Sequence, residues 1–194
     1  MKLYYSPLAC SLADHIALLE AGVPFDSERV DLKTKRMASG GDLHDITPKG
    51  YVPVLVLDGG EVLTENIAIL DWLASQYPQL GSTGPLGRFR VLEALAFVST
   101  ELHRSFKPMW HASTDAERAK AVRTIGEHFD FLSQGLATDY LFGENPSVAD
   151  FYLFVMLLWA EKFGIDVSPQ MAGLRARMKA RPAVRRAMEN EGLI

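Results

Sequence analysis

A single cysteine, Cys10, stands among the 194 residues. No disulfide can therefore form within the chain, and a Cys-x-x-Cys redox pair or a cysteine-built zinc site is excluded. Basic residues are not in excess. Lys and Arg number 20 against 24 Asp and Glu, a formal net charge of −4, which argues against non-specific nucleic-acid binding. Long apolar runs are missing too. The longest, Phe151 to Ala160, has ten residues and is too short to span a bilayer. Met1-Lys2 leads directly into a strand-like run, so no basic-then-apolar leader is read. His15, His44, His111 and His128 lack metal-ligand spacing, and no metal is expected. These absences lead to the expectation of a soluble, cytoplasmic chain whose thiol is reduced.

What is present starts with alternating strand and helix patterns. Lys2 to Tyr5 is a short β-prone run ended by Ser6-Pro7. Leu12, Ile16, Leu19 and Val23 recur at helical spacing, with Ser11 as cap and Gly22 as the stop. Phe25 to Leu32 reads as a second strand, with Val30 and Leu32 on one face. Lys33 to Lys49 is a polar connection with room for one short helix. "VPVLVLDGGEVL" then reads as a hairpin: an apolar run, Asp-Gly-Gly, and a second apolar run. Thr64 is expected to cap a helix whose inward stripe is Ile67, Leu70, Leu73 and Tyr77.

Composition changes at "YPQLGSTGPLG", and beyond it no strand signal appears. Leu92, Leu95, Ser99, Leu102 and Phe106 share one helical face, as do Val122, Ile125, Phe129, Leu132 and Leu136. "NPSVADFYLFVMLLWA" is apolar all round, the pattern of a helix buried in a bundle. Its start, Ser147-x-x-Asp150, is close to a capping box. Two amphipathic segments, split by Arg181-Pro182, complete the chain. The domain reading is α/β over 1–77, a linker over 78–85, and an all-α domain over 86–194.

"KLYYSPLACSLADHI", "VDLKTKR", "TPKGYVPVL", "LTENIAI", "TELHRSFKP" and "PSVADFYLF" occur in order over nearly the whole chain. With this organisation, the chain resembles the glutathione S-transferase superfamily, and within it the bacterial beta class. The resemblance implies a thioredoxin-like domain followed by a helical bundle. It also implies a cytoplasmic homodimer with no permanent cofactor, which takes glutathione as co-substrate and a small hydrophobic electrophile against the second domain. The activity implied is transfer of glutathione, with Cys10-dependent thiol–disulfide exchange. The competing reading is a non-catalytic protein of the same fold that binds ligands or other proteins.

Each candidate residue has two readings at this level. Cys10, at the opening of the first helix, is either a small core residue or a reactive thiol. Unpaired N–H groups and the helix dipole there are expected to ease its ionisation. In the beta class the matching cysteine can form a mixed disulfide with glutathione. With no second cysteine, any exchange must be monothiol. Tyr5 and Ser11 are secondary candidates for activating the glutathione thiol, against simpler roles as a packed strand residue and a helix cap. Val52-Pro53 precedes a strand. The resemblance implies a cis bond there and a Val52 backbone free to pair with glutathione's cysteinyl unit.

Glu65 and Asn66 open the following helix, whose N–H groups suit a carboxylate while Glu65 suits an ammonium. Complementing the dipole explains Glu65 equally. Lys35 matches a basic position that would meet the glycyl carboxylate, with Lys33, Arg36 and Lys49 as neighbours. Ala96, Thr100, His103 and Lys107 form a small or polar row beside the apolar stripe, as a cleft-lining helix would. His103 is the candidate hydrogen-bonding group or base, with Thr100 and Lys107 beside it. Ala96 stands where related sequences can carry an amide that touches glutathione. Phe106, Met109, Trp110 and Trp159 are candidates for the hydrophobic site, or else core.

Overall fold

A computed structural model describes residues 1–136 and 138–194. In chain order its elements begin with β1 (Lys2–Tyr5), α1 (Leu12–Ala21), β2 (Asp26–Arg29), β3 (Val54–Val56), β4 (Val62–Thr64) and α2 (Asn66–Gln76). They continue with α3 (Gly87–Phe97), α4 (Lys107–Trp110), α5 (Asp115–Gln134), α6 (Val148–Phe163), α7 (Pro169–Ala180) and α8 (Pro182–Asn190). Two compact units result: Met1–Gly81 together with Ala180–Ile194, and Ser82–Lys179.

The first unit is built on a four-stranded sheet of order β2-β1-β3-β4. β1 pairs parallel with β2, and antiparallel with β3, which continues antiparallel to β4. The parallel step needs a crossover, and α1 supplies it. Gly22 closes α1 in the left-handed conformation, φ +70°, which glycine adopts without steric cost. Leu3, Leu12, Ile16, Leu55, Ile69 and Leu73 are all fully buried. Together the sheet and helices make a thioredoxin-like fold.

Several sequence expectations shift by a residue or a face. β2 covers only Asp26–Arg29; Val30 bridges to Met37 and is buried, whereas Leu32 faces solvent. Thr64 ends β4 and does not cap α2: Glu65 takes that position, without a side-chain cap bond, and Asn66, Ile69, Leu70 and Leu73 face inward. Ser11 occupies the α1 cap position but makes no cap bond. Its hydroxyl accepts from the Ser6 N–H at 3.3 Å and closes the preceding turn. The linker-to-bundle reading placed residues 86–194 together, yet the structure groups Ala180–Ile194 with the first unit. The reason is packing: α8 turns Val184, Ala187 and Met188 inward and lies along α1.

In the second unit every named element is helical. α6 has no exposed residue from Val148 to Ala160, as its all-apolar sequence requires. Its capping box is complete: Asp150 Oδ2 accepts from the Ser147 N–H at 2.8 Å, and Ser147 Oγ accepts from the Ala149 N–H at 3.3 Å. α3 runs into a π-helical turn over Val98–His103. That wider turn changes the buried row to Val91, Leu95, Val98, Leu102 and Phe106, replacing Leu92 and Ser99 of the expected stripe. On α5, Ala121 is buried where Val122 was expected, and Val122 is exposed. None of the helices among the described residues is long and apolar enough to cross a membrane.

Candidate functional site

In the first unit the turn after β1 leads to Cys10, whose carbonyl starts the hydrogen bonding of α1 by accepting from Ala13 N–H. The Val52–Pro53 peptide bond is cis. Across from Cys10, the Val52 carbonyl accepts a long hydrogen bond from its thiol, 3.9 Å. Cys10 is part-exposed, and desolvation of its thiol pushes its pKa up to about 12. The Asp14 and Glu65 carboxylates add to that rise, and backbone N–H bonds oppose it less strongly. This direction of shift runs against the easing of ionisation expected at the helix terminus, and its first cause is desolvation.

Asn66 and Asp14 lie beneath this turn. Oriented so that its nitrogen faces them, the Asn66 amide donates to Asp14 Oδ2 and to the Cys10 carbonyl, 3.2 Å. Asn66 is thus tied into the protein by its side chain. Asp14 is wholly buried, its Oδ1 has no hydrogen-bond partner among the described residues, and burial lifts its pKa well above the usual carboxylate range. Glu65 adopts a positive φ of 73°, uncommon outside glycine. Its carboxylate accepts from Lys49 Nζ and, at 2.7 Å, from the Tyr51 hydroxyl. These two donors hold its pKa below the usual glutamate value. Strained backbone with a fixed, ionised side chain is a common feature of ligand sites.

Lys35 lies on the connection after β2, also at positive φ, 62°, with its N–H donating to the Asp31 carbonyl. Tyr5 is a buried strand residue whose hydroxyl donates to the Asn190 carbonyl at 3.3 Å, and burial raises its pKa. Its proton is already engaged in packing α8. Ser11 is likewise engaged in the Ser6 turn. Cys10, Val52, Pro53, Glu65 and Asn66 are brought together; Tyr5 and Ser11 serve the frame around them.

In the second unit His103 closes the π-helical turn. Its Nδ1 lies 2.6 Å from the Tyr152 hydroxyl of α6, and its ring stands edge-on to Trp159, centroids 4.8 Å apart. Burial lowers its pKa to about 4, so the imidazole is neutral at physiological pH. Thr100 is exposed and its hydroxyl donates to the Ala96 carbonyl at 3.0 Å; Lys107 is also exposed. Phe106 and Trp159 are core residues, 0% and 5% exposed, which corrects their reading as walls open to a ligand. Trp110 packs edge-on to Trp159 and is 40% exposed, so Trp110 and half-buried Met109 present the accessible apolar surface.

Sequence reading missed Tyr152, Asp14 and the Lys49–Glu65–Tyr51 group. A signal for Tyr152 existed: it is the one hydroxyl-bearing side chain in the run Phe151 to Ala160, and a buried tyrosine hydroxyl needs a partner.

The fold agrees with the relatives. The family described as glutathione S-transferase, N-terminal domain, matches residues 9–76, and glutathione S-transferase, C-terminal domain, matches residues 115–190. The chain belongs to the glutathione S-transferase family. It is 38% identical to glutathione S-transferase GstA of Escherichia coli O157:H7, with both chains covered completely. A bacterial beta class glutathione S-transferase from Sphingomonas chungbukensis superimposes with TM-score 0.92 at 42% identity, 100% of each chain covered. A sphingomonad glutathione S-transferase solved with glutathione matches equally, TM-score 0.92 at 40% identity over 100% of both chains.

Proposed function

We propose that this chain transfers reduced glutathione to small electrophiles in the cytoplasm, and that Cys10 takes part. The observation carrying this reading is the Cys10 thiol set against the Val52 carbonyl at the cis Val52–Pro53 bond, beside the opening of α2. Glutathione's cysteinyl unit pairs with the Val52 backbone as an added strand. Its γ-glutamyl carboxylate meets the N–H groups of α2, and its ammonium meets Glu65, already ionised by Lys49 and Tyr51. Lys35 receives the glycyl carboxylate.

The glutathione sulfur then loses its proton to solvent water and attacks an electrophilic carbon, whose leaving group departs with the bonding pair. A protonated Cys10 thiol suits the role of hydrogen-bond donor to that anionic sulfur, and its pKa near 12 supports this. Thiol–disulfide exchange needs the Cys10 thiolate instead. That thiolate attacks glutathione disulfide, forms the mixed disulfide and expels one glutathione thiolate; a second glutathione thiolate then releases Cys10. Exchange therefore grows with pH, while conjugation does not depend on Cys10 ionising.

The exposed Trp110 and Met109 surface supports an apolar electrophile. A homodimer is supported by Leu86, Phe89 and Phe131, each more than half exposed. The test is retention on immobilised glutathione, with turnover of an aryl halide and of a glutathione mixed disulfide. Retention with aryl halide turnover is expected, and Cys10→Ala should abolish the mixed disulfide with glutathione. No retention and no turnover would leave only a binding protein of this fold.

A further inference from the structure

Asp14, in the first turn of α1, is 0% exposed. A buried carboxyl group is costly unless it is hydrogen-bonded or holds its proton. Burial, and after it the Glu191 carboxylate, raises its pKa well above the usual range. Its Oδ1 has no hydrogen-bond partner among the described residues, whereas its Oδ2 accepts from the Asn66 amide. The same amide nitrogen donates to the Cys10 carbonyl at 3.2 Å. Asn66 is the first residue of α2 and is 7% exposed. An amide nitrogen carries two hydrogens, and both are engaged inside the protein.

We propose that Asp14 and Asn66 are positioning residues: the pair ties the Cys10 turn to the first residue of α2, and so sets the spacing between the sulfur end and the γ-glutamyl end of bound glutathione. This rests on the proposed function, and it changes what Asn66 does there. Its backbone N–H serves the γ-glutamyl carboxylate, while its side chain works inside the protein. The Cys10 carbonyl also accepts from the Ala13 N–H at 3.0 Å, so the Asn66 bond is a second restraint on the peptide plane that follows the thiol. Asp14 directs the amide. Its Oδ2 holds one hydrogen, which leaves the other aimed at Cys10.

Asp14 lies one helical turn beyond Cys10, so α1, the thiol turn and α2 meet at a single amide group. On the exposed side of the same α2 opening, the Glu65 carboxylate is held by Lys49 and Tyr51. The helix start is thereby fixed from within and from without. Two anchor points kept at a set distance reduce the cost of ordering a flexible tripeptide on binding.

A double-mutant cycle of Asp14→Ala, Asn66→Ala and the two combined tests the pair, with two readings. Without glutathione, alkylation of Cys10 by iodoacetamide at fixed pH should be about tenfold faster in each single variant, the effect of one lost buried hydrogen bond, and no faster in the combined variant. With glutathione, KM should rise about tenfold in each single variant and no further in the combined one, with kcat within about twofold of wild type. Asp14→Asn keeps the shape and an oxygen acceptor for Asn66, and should bring both readings back close to wild type.

Effects of the two alanines that add overturn the pair. So does unchanged alkylation in Asn66→Ala, or an Asp14→Asn protein as altered as Asp14→Ala. A raised KM in Asn66→Ala alone would place its amide on glutathione itself, which also overturns the proposal. Should Asp14→Ala fail to fold, the remaining two variants decide: the proposal stands only if Asn66→Ala moves both readings and Asp14→Asn moves neither. Wild-type protein that does not bind glutathione sinks the transferase reading and the spacing role with it. The alkylation cycle needs no glutathione, so it tells that failure apart from failure of the Asp14–Asn66 tie.

Discussion

His15 Nδ1 lies 3.1 Å from Glu191 Oε1, and both side chains are fully enclosed between α1 and the end of α8. The other oxygen of Glu191 accepts from the Leu8 N–H at 3.1 Å, where Leu8 sits at a positive φ of 58°. Residues more than 180 positions apart thus fix the turn that delivers Cys10. Glu191→Ala should cost about 1–3 kcal/mol, because it removes the acceptor facing both the buried His15 ring and the part-buried Leu8 N–H. Glu191→Gln, which keeps an acceptor for Leu8, should cost less. Urea denaturation of the two variants checks the order.

Asp150 and Ser147 invite the same comparison in the second unit. Ser147→Ala removes one cap acceptor and should cost about 1 kcal/mol. Asp150 accepts from the Ser147 N–H and also from the Leu141 N–H, each at 2.8 Å. Asp150→Ala leaves both donors unmatched and should cost about 3 kcal/mol or more. If thermal unfolding ranks them the other way, the Leu141 bond contributes little.

His103 makes stability depend on acid. Burial holds its folded pKa at about 4, against an ordinary value of 6.5. Between those values the unfolded chain binds the proton that the folded one refuses, so stability falls as pH drops from 6.5 towards 4. Between pH 7 and pH 5 the loss attributable to His103 should be roughly 1–2 kcal/mol. His103→Gln should lose less stability over that interval, by denaturant midpoint at both pH values. Equal losses would mean that His103 titrates normally.

Cys10 should be a slow thiol. With its pKa pushed up to about 12, the thiolate fraction at pH 7.5 is very small. Alkylation by iodoacetamide in the ligand-free protein, followed by mass, should accelerate continuously with pH beyond 10. A plateau reached near pH 7 would mean that the helix terminus governs the thiol after all.

The strands, the hairpin at Asp58-Gly59-Gly60, the buried α6 and its capping box were all readable, because period, turn residues and caps are local properties. The row His103, Thr100 and Lys107 was readable as polar spacing. Its partner Tyr152 was legible only as a hydroxyl in an apolar run; that the two pair across 49 positions is visible in neither neighbourhood. The Leu92 and Ser99 stripe failed for a related reason: a π-helical turn departs from the 3.6-residue period that the reading assumes.

The chain by itself determined that there is one thiol, where it lies relative to the first helix, and that an α/β half precedes an all-helical one. Only tertiary structure decided the state of that thiol. A helix terminus acts over one turn and is legible in sequence, but the carboxylates of Asp14 and Glu65, and the removal of water around Cys10, come from folding. Desolvation belongs to the packed molecule, and it is the first cause of the upward shift at Cys10.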